Sequence, residues 1–344
     1  MKLLFLGAGA IGTYVGGSLA AAGHRVSFTE QPYTAEVIAA DGLRLTRSGR
    51  TEAVRDVQIY TAAADALAAD DHDAVVVALK SFDTEAAVRG LIETGLPLPP
   101  VLSLQNGVAN EPLIGDLLGP EQVVTGTVTT AVSKPGVGQV VEEKLRGIGI
   151  ALNHPLGERL VAALNSAGLQ AQGFPEPRAM KWSKLLTNLT GNATSAILDE
   201  PVSTLFADPV SYDLEIRVLR ECLAVMAGLG LAPVDLPGTP VRALALAARR
   251  LPRFLAQPAL TKALGSGRGD KMPSFHIDLH SGRGRTEVSF LNGAVAHYGA
   301  QVGVATPVNE GLTRILEALS GGEMSLDTYR HDPEALADAL LGTA

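Results

Sequence analysis

The chain has 344 residues, 46% of them hydrophobic and 19% charged, and carries a formal net charge of −8 at pH 7. That length suits two domains, each able to bury its own core, and the acidic balance argues against nucleic acid or an anionic membrane as the main partner. A single cysteine, Cys222, excludes an internal disulfide and suits a reducing, cytoplasmic setting.

The first predicted elements are a strand at 2–6, a helix at 11–22 and a strand at 25–29. The apolar run Leu3-Leu4-Phe5-Leu6 leads straight into Gly7-Ala8-Gly9-Ala10-Ile11-Gly12. An apolar strand feeding three glycines at this spacing is how a buried strand turns into a helix whose N-terminus faces a pyrophosphate. Gly7 allows the tight turn, Gly9 lets the backbone approach phosphate, and Gly12 lets helix and strand pack closely. Glu30 stands about 20 residues beyond the glycines, where a Rossmann half meets the ribose hydroxyls. Residues 3–22 carry no charged side chain, as in a signal peptide, but five glycines in that run make a poor helical h-region or membrane span. The chain therefore reads as soluble and untargeted.

Further along, Val75-Val76-Val77-Ala78-Leu79 and Val101-Leu102-Ser103-Leu104 read as fully buried parallel strands. Lys80 and Gln105-Asn106-Gly107 follow them directly, and ligands of open α/β sheets bind beyond the carboxyl ends of strands. Lys80 suits a cofactor phosphate or ribose, or a plain solvated strand end; Asn106-Gly107 suits a ligand contact or a simple turn. The runs at 123–127 and 138–141 are predicted as antiparallel strands around a Lys134-Pro135-Gly136 turn. Pro175-Glu176-Pro177 then punctuates the chain. The fold class is α/β, an N-terminal Rossmann-type doubly wound sheet over 1–174 followed by an all-helical C-terminal domain over 175–344. Helices are predicted at 177–198, 209–229, 239–256, 286–300 and 307–319, with a short one after Pro333.

On the first of these helices, Lys181, Lys184, Asn188 and Asn192 fall within an arc of roughly 80°. A solvated polar face explains the lysines, but asparagine is an indifferent helix former, and two on the Lys184 stripe suggest a wall facing a ligand. Cys222 lies in an apolar helical run and reads as a buried residue rather than a nucleophile. The stretch 240–285 holds nine Lys/Arg against two acids, a local balance that attracts anions. Within it, Lys271-Met272-Pro273-Ser274 precedes Thr286-Glu287, where Thr286 can cap a helix and Glu287 can be its first-turn acid. The seven histidines are scattered, and the single i,i+4 pair, His276/His280, lacks a glutamate in HExxH spacing, so no metal is expected. Glycines in 265–285 permit a mobile lid, and a homodimer is compatible with the apolar surface of the helical half.

Taken in order, Gly7-x-Gly9-x-x-Gly12, Leu79-Lys80, Gln105-Asn106-Gly107, Lys181-Trp182-x-Lys184-Leu185-x-x-Asn188, Lys271-x-Pro273-Ser274 and Thr286-Glu287-Val288-x-x-Leu291-Asn292-Gly293 resemble the ketopantoate reductase family over nearly the whole chain. The resemblance implies reduction of a 2-oxo acid by NADPH, in the named case 2-dehydropantoate to pantoate for pantothenate biosynthesis. It maps the catalytic lysine onto Lys184 and the essential glutamate onto Glu287. It places Asn106, Asn188, Asn192 and Ser274 along the nicotinamide and substrate, Lys271 where relatives carry a substrate-holding asparagine, and Lys80 against the cofactor. Gly7, Ala8, Gly9, Ala10, Ile11 and Gly12 form the cofactor loop. One departure stands out: Glu30-Gln31 replaces the arginine that commonly holds the 2′-phosphate, which tilts the cofactor toward NADH. The rival readings are a flavoprotein, whose ADP half would equally suit Gly7 through Glu30, and a sensor that binds NAD(P) without turnover.

Overall fold

The computed structural model describes residues 1–268, 272–282 and 284–342. It divides into two compact units, Met1–Lys181 with Leu236–Thr239, and Trp182–Asp235 with Pro240–Ala344.

Unit 1 contains β1 (Lys2–Leu6), β2 (Arg25–Thr29), β3 (Leu43–Arg47), β4 (Arg50–Val54), β5 (Gln58–Tyr60), β6 (Ala74–Val77), β7 (Val101–Ser103), β8 (Val123–Val128), β9 (Ala131–Gly136), β10 (Gln139–Lys144), β11 (Ile148–Ala151) and β12 (Ala171–Phe174). Eight of them form one sheet in the order β12-β11-β8-β7-β6-β1-β2-β5. Its centre is parallel, with β1 pairing β2 on one side and β6 on the other. All four side chains of β6 are buried, as a strand covered on both faces requires. The chain leaves β1 toward β2 and later returns on the other side as β6, so the end of β1 is the point where strand order reverses. That is where ligands of such sheets bind.

The helix Ala10–Ala21 lies between this sheet and a smaller one, ordered β4-β3-β10-β9. Two adjacent glycines make the double contact possible: a Cβ on Gly16 would lie 2.6 Å from Phe28, and one on Gly17 2.9 Å from Leu45. The predicted turn at Lys134-Pro135-Gly136 is corrected here. Those residues belong to β9, an edge strand, where a missing proline N–H costs no ladder bond. The antiparallel partner is β10, the reversal falls at Val137-Gly138, where Gly138 has φ 65°, and β8 instead joins β7 in the large sheet.

The regular elements among the described residues of unit 2 are all helices, joined by turns and loops. The helix predicted at 177–198 is two helices, Pro177–Leu189 and Asn192–Leu198. Gly191 sits between them with φ 65°, its N–H donated to the buried Glu215 carboxylate at 2.7 Å, and a Cβ there would lie 2.8 Å from Val202. The stretch 239–256 likewise splits, at Leu251-Pro252, into Val241–Arg250 and Arg253–Arg268. Pro209–Gly228, Pro307–Ser320 and Pro333–Leu341 follow the predicted pattern. No helix of the described residues is long and apolar enough to cross a membrane.

Candidate functional site

At the end of β1, Gly7 takes φ 91°, a left-handed conformation that disfavours any side chain. A Cβ on Gly12 would sit 2.0 Å from Gly7 O, so strand and helix meet at a distance only glycine permits. Above Gly9 the space is open: a Cβ there would meet nothing nearer than Ala78 O at 3.9 Å. Gly9 begins the Ala10–Ala21 helix without a side-chain cap, and no acid occupies the first turn. Its first N–H groups therefore present an uncapped positive end beside half-buried Gly9, Ala10 and Ile11, the arrangement that binds pyrophosphate. These residues fit a dinucleotide.

Glu30 closes the same turn. Its carboxylate accepts the Ala8 N–H at 2.5 Å and the Gln31 N–H at 3.1 Å, while Gly7 N donates to Thr29 O at 3.1 Å. Sequence reasoning missed Lys134, whose Nζ donates to Ala8 O at 3.2 Å from a strand distant in sequence. Thr13 Oγ1 donates to the same carbonyl at 2.8 Å. Arg47, by contrast, is spent on Glu52 and Ala167 O.

Beyond β6 and β7, Lys80 and Asn106 are linked through one buried polar network. Gln105 Nε2 donates to Thr84 Oγ1 at 2.7 Å and to Leu79 O at 3.1 Å. Asn110 Nδ2 donates to Asn106 O at 2.6 Å, as does Ser81 Oγ at 3.3 Å. Gly107 has φ 86°, so Asn106-Gly107 is a turn, and the Asn106 side chain stands exposed on it. Lys181 reaches the underside of this network. It is 4% exposed, donating to Gln105 O at 2.5 Å and contacting Glu111 Oε1 at 2.8 Å. Lys181 is thus removed from the predicted polar wall: its ammonium is committed to the interior of unit 1.

In unit 2, Lys184 and Asn188 stand one turn apart on the Pro177–Leu189 helix and are half-buried, while Trp182, Leu185, Leu186 and Leu189 face the core. Asn192 starts the next helix and is buried. Its Oδ1 accepts the Phe275 N–H at 3.1 Å and lies 3.4 Å from Ser274 Oγ, so two predicted substrate residues are brought together. Ser274 opens a helix over Ser274–His280 that sequence reasoning passed over. The predicted helix at 286–300 is instead a short 3-10 turn, Val288–Phe290, followed by Asn292–Gln301. Glu287 precedes that turn at 5% exposure, and with the helix beginning only at Asn292 it is not a first-turn acid of an α-helix. Lys271 lies outside the described residues, as does part of the 265–285 segment.

Two further groups lie in unit 2. Cys222 is fully buried, and burial pushes its thiol far up from the ordinary value. At the end of the Asn192–Leu198 helix, Asp199 accepts from His276 Nε2 at 2.7 Å and from Arg330 Nε at 3.1 Å. Those hydrogen bonds, with the nearby His280, hold its carboxyl below the usual carboxylate range.

The amino-acid sequence matches the family described as ketopantoate reductase PanE/ApbA over residues 3–151 and the ketopantoate reductase PanE/ApbA C-terminal domain over 177–320. A 2-dehydropantoate 2-reductase from Pyrococcus horikoshii is 28% identical, covering 94% of this chain and 99% of the relative. One from Mesorhizobium japonicum is 31% identical, covering 67% of this chain and 77% of the relative. Among solved structures, a PanE/ApbA family ketopantoate reductase from Ralstonia eutropha JMP134 superposes with a TM-score of 0.79 at 28% identity, covering 94% of this chain and 99% of that one. D-mandelate dehydrogenase, solved with NADH and anilino(oxo)acetate, shares the fold with a TM-score of 0.77 at 21% identity, over 94% of this chain and 99% of that one.

Proposed function

The chain belongs to the ketopantoate reductase family of oxidoreductases, and from that premise we propose that it reduces the keto group of a 2-oxo acid with NAD(P)H, 2-dehydropantoate being the first candidate. The observation that carries the reading is the glycine turn at the switch point of the sheet, opening on an uncapped helix N-terminus. A nicotinamide dinucleotide held there supplies the hydride.

The remaining chemistry is the protein's. Reduction of a ketone leaves negative charge on the carbonyl oxygen, so the reaction needs a donor aimed at that atom and a proton to deliver. Lys184 suits both tasks, because a lysine ammonium with an ordinary pKa near 10.4 is charged at neutral pH. Glu287, buried at the start of its turn, is proposed to orient that ammonium or bind the nascent hydroxyl. Asn188, Asn192 and Ser274 offer neutral hydrogen bonds for the substrate's carboxylate and hydroxyl groups, leaving Lys184 the charge that acts on the oxygen. Lys80 and Asn106 are assigned to the cofactor, and Lys271 to the substrate.

We assign NADH as the preferred cofactor. Glu30 is tied to the Ala8 N–H of the glycine turn, which supports the reading that its carboxylate meets the adenosine ribose. It suits a 2′-hydroxyl and repels a 2′-phosphate. The deciding experiment follows NADH and NADPH oxidation by absorbance with 2-dehydropantoate beside other branched and linear 2-oxo acids. The reading expects the highest kcat/KM with 2-dehydropantoate and NADH. Cofactor binding with no oxidation across the whole panel would replace it with the sensor reading.

A further inference from the structure

We propose that Asp199, His276 and His280 bind a divalent transition metal of the zinc class, and that the ion staples the Ser274–His280 helix to the end of the Asn192–Leu198 helix. The site stands on unit 2 alone, and its occupancy does not depend on the reductase reading.

The geometry begins with spacing. His276 and His280 are four residues apart on one helix, hence on one face, and their rings stack with centroids 4.1 Å apart. Asp199 supplies what the HExxH test could not see. Its Oδ1 lies 2.7 Å from His276 Nε2 and 3.9 Å from His280 Nε2, and the three ligand atoms all lie within 4.8 Å of one another. A tetrahedral zinc ion, with N and O ligands at about 2.0–2.2 Å, sets neighbouring ligand atoms roughly 3.3 Å apart. The widest gap therefore closes by at most about 1.5 Å, a movement that rotamer adjustment of the partly exposed His280 can supply.

The carboxylate is also oriented for the task. Arg330 holds Asp199 Oδ2 at 3.1 Å, which turns Oδ1 toward the two imidazoles, as outer partners of metal-binding carboxylates do. Asp199 is the C-cap residue of the Asn192–Leu198 helix, and its φ of 53° is the left-handed conformation on which helices commonly end. Two imidazoles and one carboxylate suit zinc, cobalt or nickel rather than magnesium or calcium, which take oxygen ligands, and leave a fourth position for water. On binding, each ring ligates through Nε2 as a neutral imidazole: the Nε2 hydrogens that face Asp199 Oδ1 and Ala196 O are transferred through solvent to Nδ1, and nothing is oxidised or reduced.

The same two helices already meet through Asn192 at Ser274 and Phe275. Metal at the other end of the pair fixes the helix that begins with Ser274 at a second point. The test uses the full-length protein, freed of metal by chelator, titrated with Co²⁺ by visible absorption and with Zn²⁺ by calorimetry. One ion per chain is expected, insensitive to excess Mg²⁺. His280→Ala should weaken binding by at least about tenfold with an unchanged far-ultraviolet circular dichroism spectrum. His297→Ala removes an exposed histidine bonded to Gln301 and should leave the affinity intact. No saturable one-to-one uptake by the wild-type chain, or equal affinity in His280→Ala, overturns the proposal. His276→Ala provides a second reading of the same site.

Discussion

The two lysines of the Pro177–Leu189 helix should fail in opposite ways, and Lys181 is the sharper case. Lys181→Met keeps the length of the apolar stem and deletes only the charge. The Glu111 carboxylate, 10% exposed, then stands without its counter-charge, and Gln105 O loses a donor 2.5 Å away. Removing one member of a buried pair costs about 3–5 kcal/mol, because the survivor is left uncompensated. At roughly 2–4 °C per kcal/mol for a domain of this size, the midpoint of unit 1 should fall by about 6–20 °C. Lys181→Met with Glu111→Leu removes both charges and should restore most of the loss. Thermal and urea denaturation followed by circular dichroism measure it. Turnover well below the midpoint should stay close to that of the parent. A loss under about 1 kcal/mol for Lys181→Met, or a double variant less stable than either single one, would refute the assignment of Lys181 as a structural cation.

Lys184→Ala should leave stability and cofactor binding nearly intact while kcat falls by at least about 10², the usual worth of a positioned proton donor; near-normal turnover would sink its role. Glu30→Gln removes the carboxylate from the ribose end of the turn and should raise the NADPH/NADH ratio of kcat/KM by about tenfold, as 1–2 kcal/mol of repulsion between partly solvated charges predicts. An unchanged ratio would mean that Glu30 does not face the 2′ position. Gly12→Ala places a Cβ 2.0 Å from Gly7 O and should abolish dinucleotide binding, read by fluorescence quenching of the single tryptophan or by calorimetry. Cys222, buried with its thiol pushed up, should react with a disulfide reagent only at the rate of unfolding; rapid labelling of the native chain would contradict that burial.

What could be read along the chain was whatever depends on neighbours in sequence. The Gly7–Gly12 turn is visible because three positions within six residues each forbid a side chain, and the buried strands are visible because every residue of Ala74–Val77 faces a covered layer. The predicted hairpin failed for a local reason with a non-local cause: Pro135 is a turn residue anywhere except on a sheet edge, and only the pairing of β10 with β3 makes β9 that edge. The break at Gly191 was hidden because both flanking helices are apolar on the same side. What holds the break open is Glu215, arriving from another helix.

Periodicity reports which residues share a face and is silent about what that face meets. It grouped Lys181, Lys184, Asn188 and Asn192 correctly on an ideal helix. The carbonyl of Gln105 and the acid of Glu111, each some 70 or more positions away, then took Lys181 out of the group. The helix break and the Ser274–His280 helix took Asn192 into a different contact. The same limit hid the histidine cluster, where spacing within one helix supplied two nitrogens and a residue 77 positions earlier supplied the oxygen. Charged and amide groups are decided by distant partners because a buried polar atom must be matched wherever the match lies, whereas an apolar side chain needs only to be covered. Lys184 and Asn188 stand one turn apart and half-buried, and Glu287 is buried at the start of its turn. Those three side chains are therefore where substitution should separate chemistry from folding.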